Sequence, residues 1–141
     1  SQCRRLLEEI AKGRNGDHLF GLMLSGLPAY HLLAIRSDHP ALVQSDVRRT
    51  PQGHTLDVDV LNRVLLHHYL GLLDPSSHLH FVKNENDALR LLEGGAQLAF
   101  LLNPPTIQFI QELSQAGERL PKKTSYFYPK PLTGLVIRSL D

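Results

Sequence analysis

Two apolar runs of strand length, residues 18–25 and 29–36, stand on either side of Gly26-Leu27-Pro28. That pattern predicts a β-hairpin closed by a short Gly/Pro loop. The segments around it change period and read as helices to lay on a sheet. Residues 2–12 carry Leu6, Leu7 and Ile10 on one helical face and stop at Gly13, after which Asn15-Gly16-Asp17 supplies turn residues that tolerate positive φ. Residues 37–54 are polar, with two prolines and a glycine, and read as a surface loop holding at most a short helical turn over 40–44.

Asp57 is expected to cap a helix running to about Leu70, because Val60, Leu61, Val64, Leu65 and Leu66 recur at helical spacing before Gly71. Beyond it, residues 79–82 read as a strand, 86–93 as a helix and 96–102 as a second strand after Gly94-Gly95. A strand, helix and strand in that order form a βαβ unit, whose strands run parallel through a right-handed crossover. Pro105 suits a first helical position, and 106–115 continues as a helix ended by Ala116-Gly117. Residues 118–133 then form a long loop with Pro121, Pro129 and Pro131, and 134–140 the last strand. The expected fold is α/β (α+β): a mixed sheet built from the N-terminal hairpin, the βαβ unit and a final strand, with helices packed on it.

A chain of 141 residues is long enough for one domain that buries roughly two-thirds of its unfolded surface. Its 42% apolar and 21% charged residues are globular values, well away from the composition of disorder. Fifteen Lys and Arg against fourteen Asp and Glu leave a net charge of +1, so no global field draws the chain to nucleic acid or an anionic membrane. The apolar runs are far shorter than the ~20 residues of a spanning helix. Cys3 is the sole cysteine and cannot form an internal disulfide, which suits a reducing, cytoplasmic compartment. The chain opens without Met and directly in helical pattern, so residues 1–141 are expected to be one domain cut from a longer protein.

The common phosphate-loop, dinucleotide, nucleophile-elbow and His-Glu-x-x-His motifs are missing from the sequence. Eight histidines raise the question of a metal, most sharply for His67, His68, His78 and His80. Without cysteines at short fixed spacings the pattern reads instead as solvent-facing or hydrogen-bonded imidazoles, and no metal site is assigned. The segment 119–130, Arg-Leu-Pro-Lys-Lys-Thr-Ser-Tyr-Phe-Tyr-Pro-Lys, gathers four cations, two hydroxyls and three aromatics where proline stiffens the backbone. As a clamp, Lys122, Lys123 and Lys130 neutralise phosphate or carboxylate, Thr124 and Ser125 donate hydrogen bonds, and Tyr126 or Tyr128 stacks. As a structural strap, its aromatics fill the edge of the core and its lysines are solvated. The near-neutral charge balance argues against a nucleic-acid groove. Asn103, at the carboxyl end of a strand and before a helix, suits either a ligand contact or a helix cap.

Leu56-Asp57-Val58, Ala99-Phe100-Leu101-Leu102-Asn103-Pro104, Ala116-Gly117-Glu118, the 120–130 segment and Gly134-Leu135-Val136 occur in that order. Together they resemble the C-terminal region of a bacterial and archaeal family, domain of unknown function 1015. Members carry Leu-Asp-Val, Ala-Phe-Leu-Leu-Asn-Pro, Ala-Gly-Glu, Met-Pro-x-Lys-Ser-Thr-x-Phe-Tyr-Pro-Lys and Gly-Leu-Val. Two departures stand out: Leu120 replaces the usual Met, and Thr124-Ser125 inverts Ser-Thr. The resemblance implies a much longer protein, whose preceding part carries a Gly-His-His-Arg motif similar to the ParB and sulfiredoxin-type fold.

The leading expectation is a phosphate or nucleotide contact made by Asn103, Lys123, Thr124, Ser125, Tyr128 and Lys130 to an active site completed by the remainder of the chain. A non-catalytic docking or homodimerisation module is the alternative, and a ParB-like role beside DNA a further one. The sequence names no cofactor.

Overall fold

The computed structural model describes residues 2–13, 16–47, 49–50, 53–72 and 78–119. Helix α1 (Gln2–Lys12) turns Cys3, Leu6 and Ile10 inward at helical spacing, with Leu7 half-buried beside them. The chain leaves it through Gly13 and forms β1 (His18–Leu24) and β2 (Tyr30–Ile35), paired antiparallel in the register Leu22↔His31 and Phe20↔Leu33. Gly26 adopts φ 77° in the connecting turn, a conformation that a side chain would resist. The hairpin therefore forms where the apolar runs place it.

The third strand, β3 (Leu98–Leu101), adds to the other side of β1 and is also antiparallel, giving the order β2-β1-β3. Helices and a three-stranded sheet make the molecule a mixed α/β fold. The pairing differs in one respect from the expected mixed sheet: among the described residues every strand pair is antiparallel. The expected strand over 79–82 has no ladder, and Phe81 and Val82 stand 63% and 42% exposed. Leu79 packs against the core while His80, Phe81 and Val82 stand exposed, and without a ladder the crossover has no starting strand. The helix of the anticipated unit is present as α4 (Glu85–Glu93), capped by the Asn84 side chain, which accepts from the Asp87 amide. It ends in a reversal at Gly95, φ 110°, where the Ala96 amide reaches back to the Leu91 carbonyl at 2.9 Å and the Gly95 amide bonds the Leu92 carbonyl. That turn feeds β3 directly onto the free edge of β1. The last expected strand, 134–140, lies outside the described residues.

Side chains alternate across β1 and divide the core. Leu19 faces α1 and packs with Leu6 and Ile10, beside Tyr30 and Leu101. Phe20, fully buried, faces the other way into Ile35, Leu42, Val47, Val60, Leu61, Val64 and Leu66. Leu42 comes from α2 (Pro40–Val43), a single turn capped by His39, and the last four from one long helical stretch. This stretch begins as α3 (Asp57–Val60) and continues as a π-helix over Leu61–Tyr69, closing with the Leu70 amide on the Leu65 carbonyl at 3.0 Å. The expected helix is thus present over its predicted span, but wound more widely past Val60. Bonds from i to i+5 set Leu61 and Leu66, both buried, above one another on one face. Its cap position is Leu56 rather than Asp57, which is the first helical residue. Finally α5 (Ile107–Gln115) lays Phe109 and Leu113 against Leu56.

Candidate functional site

His18 opens β1 on the Phe20 face and is 8% exposed. Its Nδ1 lies 2.7 Å from Asp57 Oδ1, and its Nε2 lies 2.7 Å from Thr55 Oγ1. The local fold explains the convergence. Leu56 is extended, φ −87° and ψ 133°, so Thr55 and Asp57 leave the chain on one side while the Leu56 side chain turns to Phe109 and Leu113. Asp57 sits in the first helical turn, where a carboxylate is favoured by the helix dipole.

A carboxylate only accepts, so Nδ1 of His18 donates to Asp57. In a neutral ring Nε2 is then an acceptor and takes its hydrogen bond from the Thr55 hydroxyl. The arrangement is a hydroxyl, an imidazole and a carboxylate in line, and it can polarise the hydroxyl or hold β1 to the start of α3. Sequence reasoning missed it because Thr55 and Asp57 stand 37 and 39 residues from His18, and no local pattern links them. The one available signal was a histidine at the head of an apolar strand, a polar side chain that needs a partner when buried.

Of the residues expected to bind a ligand, Asn103 is described. It is half-buried in the loop between β3 and α5, and its side-chain amide donates to the Ile10 carbonyl at 2.9 Å. The cap of α5 is Thr106, whose hydroxyl accepts from the Phe109 amide at 3.2 Å. Asn103 is therefore a tie between the end of β3 and the end of α1, not a helix cap. Pro104 and Pro105 hold the preceding backbone extended and delay the helix to Ile107. Lys123, Thr124, Ser125, Tyr128 and Lys130 lie outside the described residues, as does most of the clamp segment.

Two further histidines act as joints. His39 accepts from the Ala41 amide through Nδ1 and meets the Tyr69 hydroxyl through Nε2, both at 3.2 Å, while His54 reaches Glu112 at 3.2 Å. His67, His68, His78 and His80 are exposed. Among the described residues no three His, Cys, Asp or Glu side chains come together in a group able to hold a metal. A shallow groove of about 400 Å³ lies between Phe81, Val82, Lys83 and the Asp87, Arg90 and Leu91 side of α4. Cys3 is buried, and burial pushes its thiol pKa up, with the Glu85 carboxylate adding to the rise. No described helix is long and apolar enough to cross a membrane. No family model matches the chain, and no curated protein or solved structure matches it either.

Proposed function

We propose that the chain is the C-terminal domain of a cytoplasmic protein of the domain of unknown function 1015 type, and that it contributes a phosphate or nucleotide contact to an active site completed by the rest of that protein. The observation that carries this reading is the 119–130 segment, where Lys122, Lys123 and Lys130 flank Thr124, Ser125 and Tyr128 between prolines. Asn103 supports it from the other side. Its loop is held by the bond to the Ile10 carbonyl and by the Thr106 cap, a fixed shelf at the carboxyl end of β3. Helix α5 spans about 13 Å at 1.5 Å per residue, and six steps of chain from Gly117 to Lys123 can cover at most roughly 20 Å, so the lysine has the reach to return to that shelf.

The test is thermal unfolding of this chain, and of the longer protein, with inorganic phosphate or ATP added. A ligand held only by the native state raises the midpoint, by the equivalent of about 2.7 kcal/mol at a hundred times Kd. A rise that disappears in Lys123→Ala is expected. No rise in either protein would overturn the reading and direct attention to β2, an outer strand among the described residues, whose Tyr30–Ile35 stretch has neither charge nor proline to protect its edge.

A further inference from the structure

We propose that Thr55 is a nucleophile, activated through His18 and Asp57, that accepts small acyl groups from activated esters. The inference goes beyond the phosphate reading and rests on different residues. Three observations carry it. The two hydrogen bonds, each 2.7 Å, join hydroxyl to Nε2 and Nδ1 to carboxylate in the sequence that general-base activation requires. The His18 residue is 8% exposed and its ring is fixed at both nitrogens, so its orientation is set before any substrate arrives. Thr55 itself is half-buried rather than sealed in the core.

In the reaction, Thr55 Oγ1 bonds to the ester carbonyl carbon as its proton passes to His18 Nε2, and Asp57 faces the imidazolium that forms. The tetrahedral adduct collapses, the bond to the leaving oxygen breaks, and that oxygen takes the proton from Nε2. Water, deprotonated by the same nitrogen, then attacks the acyl-threonine, releases the carboxylic acid and restores the hydroxyl. Atoms and electrons balance with water as the sole co-reactant. A hydrogen-bonded staple with no chemistry would show the same two distances, so reactivity distinguishes the two.

The experiment incubates the full 141-residue chain with p-nitrophenyl acetate and, separately, with a fluorophosphonate, and maps adducts by peptide mass spectrometry. Acetylation and phosphonylation at Thr55 are expected, with saturable release of nitrophenol. Thr55→Val removes both, and Thr55→Ser keeps them. Asp57→Asn, with folding checked by circular dichroism, slows labelling by about 10⁴-fold, the effect of replacing by its amide the carboxylate that orients the base. Absence of any adduct on Thr55 in the unmodified chain overturns the proposal, as does labelling of Thr55 at an unchanged rate in folded Asp57→Asn.

Discussion

Gly21 occupies a point on β1 where a side chain has no room. A Cβ built there would stand 2.7 Å from Leu6 Cδ2, 3.0 Å from Ile10 Cδ1 and 3.1 Å from Leu101 Cβ. The first two atoms end flexible side chains, while the third is fixed to β3, so Gly21→Ala must push α1 or β3 outward. Overpacking of this kind costs about 1–3 kcal/mol, readable as a lowered urea midpoint. An unchanged midpoint would mean that α1 does not lie on this face of the sheet. Cys3, on the same helix, gives a pH signature. Burial first and the Glu85 carboxylate second raise its folded pKa above the unfolded value. The unfolded state therefore loses its proton at lower pH, so the stabilisation is complete below the unfolded thiol pKa and is lost as pH rises through the folded one. Stability measured by urea titration is expected to fall on the alkaline side, and less steeply in Cys3→Ala. Identical slopes would remove Cys3 from the account.

At the scale of elements, what could be read from sequence was whatever a local period encodes. The hairpin, α1, α4 and the helix from Asp57 all repeat their pattern over six residues or more, and each appears within a residue or so of its expected span. The strand over 79–82 did not form because four residues, of which Leu79 meets the core and His80, Phe81 and Val82 are exposed, also describe an extended loop. The direction of β3 was hidden for a different reason: a period of two records which side chains face the core, not which neighbour the strand runs beside. Asn103 shows the same limit, since its partner Ile10 lies 93 residues away. Two substitutions separate its role from that of Thr106. Thr106→Ala should cost about 1 kcal/mol and lower amide protection in α5. Asn103→Ala should instead loosen the last turn of α1 and leave α5 protected, followed by hydrogen exchange. Loss of protection in α5 on removing Asn103 would return it to the role of cap.

Across the whole molecule, β1 is the central strand of the described sheet and divides the two core clusters that meet it. One face takes α1 through Leu19 and Gly21, the other takes the Asp57–Tyr69 stretch through Phe20, and its first residue gathers Thr55 and Asp57. The near-neutral charge of +1 leaves ligand attraction to local clusters, and the densest such cluster in sequence is 119–130. Its relation to the Asn103 shelf is the central claim, and an amide-resolved NMR titration of the 141-residue chain with inorganic phosphate and ATP tests it most directly. A contact supplied by this chain persists, more weakly, without the rest of the protein. Saturable shifts of the Asn103 side-chain amide together with the amides of Lys123, Ser125 and Tyr128 are the predicted result. Shifts confined to other residues, or none at millimolar ligand, would contradict it.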